Sequence, residues 1–250
     1  MAAAAKKRAN RLALLGAAAC ALCVAMPLYA QRPPAGNAPP ATPKAAAPID
    51  LTGYWVSVIT EDWKFRMVTP NAGVVAAIPL NPQGQQVARQ WDPAKDEAAG
   101  EQCRAYGAGG VMRIPGRLHV QWQGEDTLQI DTDAGTQTRL LRFRGGAPSG
   151  DAPSWQGNSS AQWNAAGRSL KVVTNNLKPG YLRSNGAPYS DKAVVTEYYD
   201  LNELPNGDQW LTITTKVDDP VYLTRPYLTS SDFKKLPGAA GWNPTPCSAG

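Results

Sequence analysis

The sequence predicts an all-β protein built on one antiparallel, up-and-down β-barrel with a minor α-helical insertion. Three observations carry that expectation. From Ile49 onward the apolar pattern has a period of two in segment after segment. Those segments are rich in Val, Ile, Thr, Trp and Tyr, and Gly, Asn, Asp or Pro separates them. About nine such strands in one domain must hide their edges; closure into a barrel is the simplest solution, with a two-sheet β-sandwich as the competing arrangement.

Residues 1–30 read as a secretory signal peptide. Lys6, Lys7, Arg8 and Arg11 form a basic region, Leu12 to Met26 an uncharged apolar run, and Ala30 a small cleavage residue. A membrane-spanning helix needs roughly 18–20 apolar residues, so no integral membrane segment is expected in the mature chain. Cys20, preceded by small residues, is a competing site for a lipid anchor, although processing there would leave an apolar stretch behind it. Residues 31–48 are Pro- and Ala-rich and read as an extended linker, because they cannot bury enough surface to offset their ordering entropy. A single domain over 49–250 follows, expected in the periplasm or outside the cell.

The basic balance of the chain, 25 Lys and Arg against 20 Asp and Glu, is produced by its first segment. Residues 1–48 hold six of those basic residues and no acid, which leaves 19 against 20 in the domain. Nothing there asks for nucleic acid. Of four cysteines, Cys20 and Cys23 lie in the leader, leaving Cys103 and Cys247 as an expected disulfide in an oxidising compartment; two unpaired buried thiols are the alternative. With one histidine and no Cys-x-x-Cys outside the leader, no metal site is expected, and no cofactor motif is present.

In chain order the expected strands are Gly53–Ile59, Trp63–Val68, Arg117–Gln123, Thr127–Asp131, Thr136–Phe143, Ser154–Trp163, Ser169–Thr174, Ala193–Asp200 and Gln209–Val217. Residues 117–143 alternate most cleanly and form a β-meander, and Asn206-Gly207 suits a tight hairpin turn. Residues 80–107 lack alternation. They favour helix from about Pro82 to Trp91 and again from Pro93 to Ala99, with Asn81 and Asp92 as N-caps before a proline. This insertion is expected to lie on the barrel or over its mouth.

Gly53-Tyr54-Trp55, at the start of the first strand, resembles the opening motif of lipocalins. The resemblance implies a calycin-like barrel in which Trp55 plugs the closed end, with Arg225 as a stacking partner from the last strand or its tail. The C-terminal part, with Glu197, Asp218, Asp219, Pro220, Tyr222, Arg225 and Pro226, resembles a signature of secreted bacterial proteins of no assigned function. That resemblance implies family membership and brings no activity with it.

Several residues are candidates for chemistry or binding. Alternation places Arg117, His119, Gln121 and Gln123 on one face; His119 is a general base if that face looks into the barrel and an ordinary surface residue if it looks out. Glu61 and Asp62 form an acidic turn before Trp63 and Phe65. Glu197 shares a row with Ala193, Val195 and Tyr199, where a carboxylate must be paired or point into a cavity; Arg139 is its candidate partner, and a structural ion pair is the default. Residues 175–191 form a Gly/Pro/Asn-rich loop carrying Tyr181, Arg183 and Tyr189, placed at the barrel mouth. The leading expectation is a binder of a small apolar or aromatic molecule, lined by Trp55, Trp63, Phe65, Tyr199 and the loop residues and oriented by Arg139, Glu197 or His119. An enzyme in the same barrel, an isomerase, lyase or hydrolase using His119 or Glu197 as base, is the second reading. An interaction module with a filled core is the third.

Overall fold

The computed structural model describes residues 41–145 and 151–249. The expected signal peptide, the Cys20 anchor site and the first part of the linker lie outside those residues. Nine strands close into a barrel: β1 (Gly53–Val58), β2 (Arg117–Gln123), β3 (Thr127–Thr132), β4 (Gln137–Arg142), β5 (Asn158–Asn164), β6 (Ser169–Asn175), β9 (Val194–Glu203), β10 (Gln209–Asp218) and β11 (Tyr227–Leu236). A two-stranded hairpin, β7 (Gly180–Arg183) and β8 (Ala187–Tyr189), stands apart from the barrel sheet. Closure sets aside the sandwich. One joint departs from the antiparallel plan: β4 and β5 pair in parallel.

Two expectations about elements are corrected. Residues 63–68 do not form a strand; Trp63–Arg66 is a short helix, α1. The chain reverses at Asp62, whose left-handed backbone (φ 49°) lets its carbonyl accept from the N–H groups of Phe65 and Arg66. This turn delivers the Arg66 side chain into the protein, where Glu61 and the Arg113 carbonyl receive it. Conversely, β11 was absent from the expected strands. Its inward row, Tyr227, Thr229, Ser231, Phe233 and Lys235, is mostly polar and so hides the alternation on which such readings rest.

The expected helices form as α2 (Pro82–Arg89) and α3 (Pro93–Ala98), capped by Asn81 and Asp92, whose side chains accept from Gly84 N and Ala94 N. The linker boundary moves. Residues from Ala41 onward belong to the barrel unit, and Pro43 is buried with its carbonyl accepting from Trp163 Nε1 at 2.8 Å. An indole N–H at the barrel end needs an acceptor, and this short stretch supplies it.

The two ends of the barrel differ. At one, short turns join the strands, residues 41–52 run across, and Trp55, Trp122, Phe143 and Trp163 pack inside. At the other, residues 59–116, the β7–β8 hairpin and the loop after β10 crowd over the mouth, forming a second core around Tyr189, Leu182, Val195 and Val217. Cys103 and Cys247 are joined, S–S 2.06 Å, across 144 residues of sequence. The bridge holds the C-terminal tail along the outer wall, where Trp242 meets Tyr54 and His119.

Candidate functional site

Cross-strand register decides which residues face the lumen. Trp55 pairs with Leu118 and Lys235, so Leu118, Val120 and Trp122 point inward on β2, and Arg117, His119 and Gln121 point outward. His119 stacks on Tyr54 at 4.2 Å between ring centroids, outside the barrel. It is therefore not a lumenal base, and the polar row of β2 is an outer wall.

Trp55 is fully buried and its Nε1 donates to the Leu51 carbonyl at 2.9 Å. The cation over its ring is Lys235, 4.7 Å from the centroid; Arg225, expected there, is exposed in the loop before β11. Lys235 succeeds because it lies directly opposite Trp55 in the β1–β11 register. Burial lowers the Lys235 pKa below its ordinary value, opposed by the charge of Asp50.

Arg139 and Glu197 meet in the middle of the lumen, both fully buried. The pairing is a two-pronged fork: Arg139 Nη1 donates to Glu197 Oε1 at 2.8 Å and Nη2 to Oε2 at 2.6 Å. Thr174 and Ser159 continue the polar belt, their hydroxyls 2.8 Å apart. Burial works against the guanidinium charge, but the adjacent Glu197 outweighs it and holds the Arg139 pKa above its ordinary value. Tyr199 flanks the pair, its phenol pushed up by burial and by the Glu197 carboxylate.

Tyr189, from β8, is buried above this belt in a slot of three glycines. A Cβ at Gly107 would lie 2.2 Å from its hydroxyl oxygen, one at Gly109 2.9 Å from the ring and one at Gly180 2.4 Å from the hydroxyl oxygen. The expected mouth loop is thus a packed hairpin seated on a glycine-rich segment. Val111 and Met112, at the end of that segment, join the lumenal core. Asp219 clamps the hairpin exit, accepting from Ser190 N and Ser190 Oγ, both at 2.7 Å. Tyr181 donates to Asp96 at 2.8 Å beneath the Arg104 guanidinium, so it too is engaged.

The remaining candidates gather at the mouth rim, and there sequence reasoning missed two partners. Trp63 is exposed on α1, whereas Phe65 packs under the Arg183 guanidinium, 4.3 Å from its ring centroid. Arg66 and Arg113, neither foreseen as site residues, complete a buried cluster with Arg183. Glu61 and Asp62 hold it from the solvent side, Arg66 Nη1 to Glu61 at 2.5 Å and Arg113 Nη2 to Asp62 at 3.1 Å. Arg113 also donates to Thr229 Oγ1. The only signal in sequence was arginine inside otherwise apolar stretches, as in Val111-Met112-Arg113-Ile114.

At the opposite end an open groove of about 790 Å³ runs between residues 44–50 and the β9–β10 hairpin, lined among others by Lys44, Trp122, Arg168, Asp200 and Leu201. Burial raises the Asp200 pKa above its ordinary value. Among the described residues no group of three His, Cys, Asp or Glu side chains could hold a metal, and no helix is long and apolar enough to cross a membrane.

Together these features define a class: a closed nine-stranded barrel whose interior is packed with its own side chains, with polar sites at both rims. Compared with protein families, curated proteins and solved structures, the chain matches none.

Proposed function

We propose that this protein is an exported binding module, a rigid barrel of the lipocalin-like kind that recognises its partner at its rims and walls, with a filled core. The observation that carries this reading is the Arg139–Glu197 fork, fully buried across the lumen and sealed by Tyr189 above and the Trp55 layer below. A carrier needs apolar volume where this chain places a paired charge, and a lumenal base needs a reachable proton acceptor where Glu197 is already engaged on both oxygens. The disulfide and the basic, apolar leader support export.

Native mass spectrometry of the chain secreted by an oxidising host tests this reading. The expected product begins near Gln31, is lighter by two hydrogens and carries no adduct. A stoichiometric lipophile released by organic solvent would overturn the filled-core reading, and an uncleaved leader would overturn export.

A second reading concerns a small aromatic molecule. The 790 Å³ groove, with Trp122 in its wall, suits such a ligand better than the lumen does. Saturable binding of a small aromatic compound that Trp122→Ala abolishes would support it, and binding indifferent to that change would exclude it.

A further inference from the structure

Arg66, Arg113 and Arg183 come from three separate segments: α1, the turn Val111–Arg113, and β7. All three are buried; the side chains of Arg66 and Arg113 are 0% and 6% exposed. They converge on a recess of about 20 Å³, which Ser184 also lines. No carboxylate lines it: Glu61 and Asp62 grip the arginines from the solvent side, and Asp232, the other acid felt by Arg66, is occupied by Thr60 and Thr212.

Arg183 donates Nη1 and Nη2 to the Val74 and Ala76 carbonyls at 3.3 and 3.2 Å, and Arg113 donates to Thr229 and Asp62, so the donors left over are Arg66 Nη2 and Arg183 Nε. Arg66 commits Nη1 to Glu61 and Nε to the Arg113 carbonyl, and its Nη2 is buried with no partner. A buried guanidinium N–H without an acceptor is costly, and like charges in a poorly solvated place repel one another. Burial, the largest influence, lowers the pKa of Arg66 and of Arg183; Glu61 opposes it at Arg66 and Tyr227 and Asp62 oppose it at Arg183, while the neighbouring Arg113 charge adds to it at both. An acceptor brought from outside would relieve both effects.

We infer that this recess is a binding site for the carboxylate end of an acid with an apolar body. A carboxylate is planar and offers two oxygens in the spacing of a guanidinium fork. The apolar body has a place to lie, because the chain on either side of Phe65 and Arg66, which line the recess, exposes Trp63, Met67 and Val68 at 62%, 60% and 69%. This assignment deepens the reading that recognition lies outside the lumen, and it names the chemistry recognised.

Calorimetric titration of the intact disulfide-bonded chain with phenylacetate, phenylacetamide and sulfate tests it. Phenylacetate should bind saturably, with its uncharged amide at least about tenfold weaker because it loses the charge-assisted contacts, and sulfate at least about tenfold weaker because it has no apolar body to lay on the exposed side chains. Arg66→Lys keeps the charge but loses the fork, and should weaken phenylacetate about tenfold. Glu61→Gln removes the internal competitor for Arg66 and should tighten binding about threefold or more, an outcome that misfolding cannot mimic. A peptide ending in Phe with a free carboxylate, against its amidated form, separates the two sources of the end group. Equal binding of acid and amide, sulfate as tight as phenylacetate, or Glu61→Gln without tightening would each overturn the site. None of these results depends on whether the lumen retains a lipophile, which the mass measurement reads separately.

Discussion

Removing one half of the lumenal ion pair is the sharpest perturbation this structure offers. In Glu197→Gln the side chain keeps its shape but loses its charge, and Arg139 is left fully buried with no anion. Neither Thr174, 3.4 Å from Arg139 Nη2, nor Ser159 beyond it can replace a carboxylate. An uncompensated buried charge of this kind costs about 3–5 kcal/mol. At roughly 2–4 °C per kcal/mol for a domain of this size, the midpoint should fall by about 6–20 °C. The companion variant removes both charges: Arg139→Met with Glu197→Leu should recover the loss and reach at least wild-type stability, because an apolar pair of similar volume avoids the desolvation cost. Urea unfolding followed by circular dichroism gives both free energies on one scale. A single variant that loses less than about 1 kcal/mol, or a double variant no more stable than the single one, would refute the argument that this pair is sealed from water.

Three further outcomes are expected. Tyr189 and Tyr199 have folded pKa values raised above the ordinary 10, chiefly by burial, so stability is complete below pH 10 and falls as pH rises above it, by about 1.4 kcal/mol per pH unit for each phenol; urea midpoints at pH 9 to 11, with phenolate absorbance at 295 nm, would contradict this if both phenols ionise before the fold is lost. Reducing the disulfide releases a 144-residue separation, which the chain-entropy relation values at about 5 kcal/mol; calorimetric scans with and without reductant should differ by well over 1 kcal/mol and do not if the tail is held by packing alone. Gly107→Ala places a methyl 2.2 Å from the Tyr189 hydroxyl oxygen and should cost about 1–3 kcal/mol; Tyr189→Phe in the same chain should return part of it, and strictly additive losses would show that the hydroxyl is not the obstacle.

How much of this was legible in the sequence varies by residue. Alternation over 117–142 marked β2, β3 and β4, and Asn81-Pro82 and Asp92-Pro93 marked the helix starts, because caps and strand periods are local properties. Residues 63–68 were misread: Trp63, Phe65 and Met67 alternate like a strand, yet one left-handed residue at Asp62 and the burial of Arg66 turn the segment into α1. β11 went unseen for the opposite reason, its inward Thr229, Ser231 and Lys235 carrying no apolar period. Of the rim cluster, Phe65 and Arg183 were within reach of sequence reasoning, whereas Arg66 and Arg113 are neighbours only because two distant segments meet at the mouth.

By itself the sequence determined a β-rich domain with two proline-capped helices. The disulfide of Cys103 with Cys247 and the partnership of Arg139 with Glu197 were expectations with alternatives, and the plug at Trp55 was only what the lipocalin resemblance implied. It could say that Arg117, His119 and Gln121 share a face, but not which face, since an alternating pattern is symmetric until a second surface arrives to bury one side. Only the tertiary structure decided that His119 looks outward, that Lys235 rather than Arg225 covers Trp55, and that Tyr189 and the segment ending at Met112 close the lumen. Those outcomes depend on the register between strands far apart in sequence and on the volume left once every side chain is in place.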